Sequence, residues 1–375
     1  MVVSKHLSFI KLTENRSGAT RGFIIWVWSH MRKKGVFFLF LISALIFTSC
    51  GTAFNRNEAV ERYDMYMGTI ITVKAYGKNA DKAADKVINR ISELERIFTI
   101  NDTSGEIDAL NGMAGIGEVQ LTNDSIYVLN KAIEYAKLSE GTFDVTIGPL
   151  VKAWGIGTDN HRVPSKDEID ELLKLVNFRD LRVDNTKLTA SLAHKGQIVD
   201  LGGIAKGYAG DEAIGVLKEN GIKSALVNLG GNVVVLGSKP DGSPWTVGIQ
   251  NPRATAGKYL GTVSVRDKAV VSSGDYERFF MKDGIRYHHI LDPRTGYPAD
   301  SGLISTTIIA DSAIDADALS TSVFILGLDK GMQLVESLDG VDAIFVTEDK
   351  KVYVTEGLKD IFVFYHEDSK DFDYV

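Results

Sequence analysis

Hydrophobic positions change their period several times along this chain. Thr69, Ile70, Ile71, Thr72 and Val73 form a β-branched run that predicts a strand over 68–75. Between 81 and 98, Ala84, Val87, Ile88, Ile91, Leu94 and Phe98 recur every three or four residues, the spacing of an amphipathic helix. A second helix is predicted over 125–138. Ser165 and Glu168 form a capping box that opens a third, reaching about 176. Short strands are expected at 181–183, 188–191 and 197–199, then a helix from just after Gly203 to 220. A strand-rich stretch follows, with strands at 225–228, 233–236, 245–250, 259–265, 269–272 and 286–290. The remainder reads as a strand at 304–310, helices at 314–326 and 331–338, and closing strands at 342–346 and 352–354. Strands and helices mix without regular βαβ alternation, which predicts an α+β fold of mixed, largely antiparallel sheets with flanking helices.

The N-terminal pattern is of another kind. Arg32, Lys33 and Lys34 precede an apolar run from Val36 to Phe47, and Thr48, Ser49, Cys50 and Gly51 follow. This is a basic region, an apolar core of signal-peptide length and small residues at a cleavage point. It is shorter than the roughly 20 residues of a membrane-spanning helix. A cysteine directly after such a run is similar to a bacterial lipobox, in which the thiol is lipidated and becomes the mature first residue. An uncleaved anchor with an incidental cysteine is the other reading, and both place the body outside the cytoplasm. Met31, just before the basic cluster, would make a normal start. The organisation expected is a leader and signal segment at 1–49, a tether at 50–65, a catalytic body at 66–360 that could hold two intertwined subdomains, and a tail at 361–375.

Charge sharpens this division. The whole chain of 375 residues carries 42 Lys and Arg against 49 Asp and Glu. Setting aside the seven bases and one acid of the leader leaves 35 bases against 48 acids, a body too acidic to be a general binder of nucleic acid. Cys50 is the sole cysteine, which excludes internal disulfides and thiolate metal clusters.

Four clusters are richer in Gly, Asp and His than strands and helices require. In the first, Asp144 sits between Phe143 and Val145, where a carboxylate needs partners if it is buried; a turn carboxylate is the simpler reading. In the second, Asp200-Leu-Gly-Gly-Ile-Ala-Lys-Gly207, two glycines allow close backbone approach at a helix start, and Lys206 adds positive charge near its free N–H groups. The spacing fits neither a P-loop nor a dinucleotide fingerprint, and a simple tight turn would look the same. The third joins Ser273-Gly-Asp-Tyr276 to the pair His288 and His289 before Asp292. Neighbours in a strand face opposite ways, so one histidine at most serves a given site. In the fourth, Asp317 and Thr321 lie four apart on one helix face and offer the hard oxygen ligands that Mg²⁺ prefers. N-terminal capping by Asp311 or Asp315 would instead leave Asp317 an exposed charge.

The order of Met67-Gly-Thr69, Phe143-Asp144, Asp200 to Gly207, Ser273 to Tyr276, His289-Ile-Leu-Asp-Pro-Arg-Thr-Gly296 and Asp317 to Thr321 resembles the FAD:protein FMN transferase (ApbE) family, over roughly 66–327. The resemblance implies FAD contacts from Met67, Thr142, Phe143, Asp144, Asp200, Lys206 and Leu291. It implies Mg²⁺ held by the Gly203 carbonyl, Asp317 and Thr321. An aromatic residue that stacks on the flavin in some members falls near Asn101, which has no ring. The implied reaction moves FMN from FAD to a threonine hydroxyl of a client protein with release of AMP. His289 is expected to accept the threonine proton, with Asp275 as second choice. Implied clients are extracytoplasmic redox proteins with a Ser/Thr-Gly-Ala-Ser/Thr motif, met at the periplasmic side of a membrane through lipid on Cys50. The chain's own Ser17-Gly-Ala-Thr20 precedes the signal segment and reads as coincidence. Two alternatives use the same residues: an Mg²⁺-dependent FAD pyrophosphatase with water as acceptor, and a non-catalytic, lipid-anchored flavin-binding protein.

Overall fold

The computed structural model of the chain describes residues 58–100, 105–367 and 369–375. The leader, Met31, Cys50 and Asn101 lie outside them. In chain order the elements begin with β1 (Ala59–Tyr66), β2 (Thr69–Tyr76), α1 (Ala80–Phe98), α2 (Glu106–Gly112), β3 (Val119–Gln120), α3 (Asn123–Leu138), α4 (Gly148–Trp154), α5 (Lys166–Leu173), β4 (Leu181–Asp184) and β5 (Thr189–Leu192). Next come α6 (Ala205–Glu219), β6 (Ser224–Leu229), β7 (Asn232–Gly237), β8 (Trp245–Gln250), β9 (Tyr259–Val265), β10 (Ala269–Gly274), β11 (Phe279–Lys282), β12 (Ile285–His288) and β13 (Leu303–Ala310). The chain closes with α7 (Ala313–Leu326), α8 (Leu328–Glu336), β14 (Asp342–Thr347), β15 (Lys351–Val354), β16 (Phe362–Phe364) and β17 (Asp373–Tyr374).

A nine-stranded sheet ordered β1-β2-β6-β7-β10-β13-β14-β15-β17 divides the molecule, and every pairing in it except β15 with β17 is antiparallel. One face carries Ile71, Val73, Val227, Val271, Ile308 and Phe345 against the helices. The other carries Val235, Val270, Ile304 and Ile344 against Trp245, Val247 and Val263 of a small sheet ordered β16-β9-β8. All eight residues of β13 are buried, as its position between two apolar layers demands. The mixed, largely antiparallel architecture is the one the sequence pattern predicts. A third apolar cluster joins Trp154 of α4 and Ile169 of α5 to Leu291 and the free-standing hairpin β11–β12.

Several expectations are corrected. The segment read as a tether reaches only to residue 58 within the described chain, because 59–66 pairs with β2 over its whole length. Its solvent-facing polar residues had masked an edge strand. The expected tail is part of the body: Phe362, Phe364 and Phe372 are buried, and β16 pairs with β9. No strand forms at 197–199. Ile198 makes a lone bridge to Ile147, while the Gln197 side chain bonds the His194 N–H, the Leu175 carbonyl and Asp180. The capping box is half realised. Ser165 accepts from the Glu168 N–H, but the Glu168 carboxylate turns to Arg162.

Two features set the site. The β1–β2 turn consists of Met67 (φ 52°) and Gly68 (φ 68°), the double positive φ of a tight hairpin, and the Met67 N–H is held by Glu95 at 2.6 Å. Helices α6 and α7 meet at Gly207, where an added Cβ would lie 2.3 Å from the Ala313 carbonyl oxygen. Asp211 of α6 then takes the Ala313 and Ile314 N–H groups at 2.7 and 2.9 Å, so one helix caps the other.

Candidate active site

One continuous cleft of about 1360 Å³ opens among these elements. That exceeds the roughly 300–1,000 Å³ typical of a small-molecule site. Met67, Thr142, Phe143, Asp144, Asp200, Gly203, Lys206, His289, Leu291, Asp317 and Thr321 all line it. Eleven positions spread from 67 to 321 are thus gathered at one place.

At its base, α6 starts immediately after the Gly202-Gly203 turn and lies against α7. A Cβ on Gly203 would stand 3.1 Å from the Phe143 ring and 3.5 Å from Thr321 Oγ1, so glycine lets this backbone approach both. Asp317 is buried. Its Oδ2 accepts the Gly207 N–H at 2.8 Å, and its Oδ1 lies 3.7 Å from Lys206 Nζ. The alternative of an exposed Asp317 is thereby excluded. Ser312, rather than Asp311 or Asp315, provides the side-chain cap of α7. No hydrogen bond engages the Thr321 hydroxyl among the described residues.

Asp144 has the partners that its burial requires. Oδ1 accepts from the Thr146 N–H and Oγ1 at 2.8 and 2.6 Å, and Oδ2 accepts from the Phe178 N–H at 2.8 Å. Burial nevertheless raises its carboxyl above the ordinary value. It therefore shapes the 142–146 turn that borders the cleft. Asp200 Oδ1 accepts the Gly202 N–H at 2.7 Å, and burial also raises this group, with Arg278 and Lys206 opposing.

The two histidines separate, though not by strand alternation: β12 ends at His288, short of the strand expected to reach 290, and His289 follows in a bend. His288 is buried edge-on against Phe324, with Nε2 bonded to the Ala299 carbonyl at 3.1 Å. His289 enters the cleft. The Arg278 carbonyl takes the His289 backbone N–H at 3.0 Å and contacts Nδ1 at 3.3 Å. A carbonyl only accepts, so Nδ1 carries the proton and Nε2 keeps its lone pair. Burial first, then the charges of Arg278, His288 and Lys206, pull the His289 pKa down to about 3, so the ring is neutral at physiological pH.

Asp275, the second choice for proton acceptor, is not brought to the cleft wall. It is buried in a two-pronged pair with Arg253 at 2.7 and 2.8 Å, with Arg286 at 3.7 Å. Both its carboxylate oxygens are taken by Arg253. The neighbouring Glu277 lines the cleft instead. Its crowded surroundings raise its carboxyl, Lys206 and Arg278 oppose, and exposure to solvent screens these effects. Glu277, Arg278 and Arg253 escaped the sequence reading. Direct succession to Tyr276 was the available signal for the first two; nothing local marked Arg253.

Known proteins resemble this chain in sequence and in fold. The family model described as "ApbE family" matches residues 67–345. A curated FAD:protein FMN transferase from Treponema pallidum is 37% identical over 83% of this chain and 91% of its own length. One from Klebsiella pneumoniae is 36% identical over 77% of this chain and 89% of its own. The ApbE protein of Thermotoga maritima superposes with a TM-score of 0.76 at 32% identity, covering 81% of this chain and 99% of its own. The flavin transferase ApbE of Vibrio cholerae superposes with a TM-score of 0.73 at 26% identity, with the same two coverages, 81% and 99%. On sequence and fold, the chain belongs to the ApbE family.

Proposed function

We propose that this protein is an FAD:protein FMN transferase. The observation that carries this reading is the presence, in one cleft, of an oxygen-donor group at Asp317, Thr321 and Gly203 and a neutral, oriented imidazole at His289. The client hydroxyl oxygen bonds to the FMN-side phosphorus of FAD, the phosphoanhydride bond breaks, and AMP departs. The hydroxyl proton passes to His289 Nε2. Lys206 and the N–H groups at the start of α6 offset phosphate charge, and Arg278 adds to the positive field.

The donor set suits Mg²⁺. Among the described residues no three His, Cys, Asp or Glu are placed to hold a metal together, and the proposed set is one carboxylate, one hydroxyl and a backbone carbonyl. Such a sparse hard-oxygen set is the kind that Mg²⁺ completes with water and substrate phosphate oxygens. When bound, the ion would neutralise charge on the diphosphate. Incubating the protein with FAD, Mg²⁺ and a candidate client should place flavin fluorescence on the client band in a denaturing gel. Release of free FMN and AMP with no labelled client would identify water as the acceptor, and FAD returned intact would identify a binding protein.

The anchor follows from the leader. Cys50 after its apolar run supports lipidation and a periplasmic-side location. Among the described residues no helix is long and apolar enough to cross a membrane. Metabolic labelling with palmitate should mark the wild-type chain and miss Cys50→Ala; equal labelling of both would refute the assignment.

A further inference from the structure

The cleft reaches past the nucleotide groups to a strand that none of the implied FAD contacts occupies. We propose that the open edge of β8 receives the client's acceptor segment as an added strand, a reading that rests on flavin transfer to protein. The small sheet ends at β8, and among the described residues no strand pairs with its far side. Along β8 the side chains alternate, Trp245, Val247 and Ile249 buried and Thr246 exposed. Yet Thr246, Val247 and Gly248 all line the cleft. A strand that presents its backbone edge to a space puts residues of both faces on that space's border. Unpaired backbone groups there are ready to bind an extended peptide.

The walls specify the occupant. Near β8 the lining includes several small, uncharged groups, Asn228 of β6, Gly230 and Gly231 of the β6–β7 turn, and Ala254 and Ala256 of the β8–β9 loop, while the Arg253 charge beside them is paired with Asp275. Gly248 is narrowed further by Tyr259, whose ring lies 2.5 Å from where a Cβ would be. A segment with small side chains around its acceptor hydroxyl suits such a slot, and bulky or strongly charged neighbours do not. The same cleft holds His289 and Asp317, so a segment seated on β8 shares the cavity with the reacting groups.

The probe is a synthetic dodecapeptide with Ser-Gly-Ala-Thr at its centre. Thr246→Trp, at an exposed position that tolerates bulk, should raise the peptide KM about tenfold or more while the Kd for FAD stays unchanged. Strand addition uses alternate peptide N–H groups. Of two peptides N-methylated at alternate flanking residues in opposite registers, one should lose transfer and the other keep it. Equal transfer to both, or a Thr246→Trp change confined to FAD affinity, would overturn the proposal and give this lobe to the nucleotide. A wild-type enzyme that labels neither peptide nor protein client refutes flavin transfer itself, a separate result.

Discussion

Asp317→Ala should abolish FMN transfer, with a loss of roughly a thousandfold or more, since a metal contributes several kcal/mol to such a step and each 1.36 kcal/mol is a factor of ten. Asp317 is the one carboxylate in the proposed metal set, so no second charge compensates. It also acts within the fold, because its Oδ2 receives the buried Gly207 N–H where α6 and α7 touch. Removing that acceptor leaves a donor unpaired at a cost of about 1–3 kcal/mol, which thermal unfolding would register. Asp317→Asn separates the two roles. Its amide oxygen still accepts from Gly207 and its volume fills the same space, but the negative charge is gone. The Asn variant should melt close to wild type, bind FAD and still fail in single-turnover transfer across an Mg²⁺ titration. Wild-type transfer by the Asn variant would remove Asp317 from the metal set.

How much of this was legible in the sequence depended on the kind of signal. Long elements with one apolar stripe were plain, as in α1, where Val87, Ile91 and Leu94 are fully buried at the predicted spacing. Elements whose burial comes from distant partners were not. The seven-residue helices α2 and α4 are too short to show periodicity, and β16 is held by Phe362 and Phe364 against a sheet formed a hundred residues earlier. The site followed the same division. Asp317 and Thr321 share a helix face, and Gly203 and Lys206 share a turn, so local spacing exposed them. Asp275 was only a second choice for the base, and Arg253, which pairs with it, lies 22 residues away on the β8–β9 loop, where no local pattern marks it. The open edge of β8 depends on what fails to pair with it, which is a property of topology and not of pattern.

His289→Ala should slow transfer by roughly 100- to 10,000-fold, the usual range for loss of a positioned general base, while FAD still binds. The tautomer gives this prediction its direction. With Nδ1 committed to the Arg278 carbonyl, Nε2 is the ring nitrogen left to take a proton. The same environment sets the pH dependence. In the free protein the imidazole is held at about 3 by burial and by the Arg278, His288 and Lys206 charges, so it protonates only in strong acid. Activity is lost as pH falls through that value, because the protonated ring has no lone pair. The acid limb of kcat/KM, which reports the free enzyme, should therefore lie far below the ordinary histidine value near 6.5. Bound FAD brings two phosphate charges into the cleft, which favour the imidazolium, so the acid limb of kcat should lie at higher pH than that of kcat/KM. Paired profiles of wild type and His289→Ala test this directly. Coincident limbs in the wild type, or an unchanged limb in the variant, would assign the proton to another group, and Glu277 would be the first to examine.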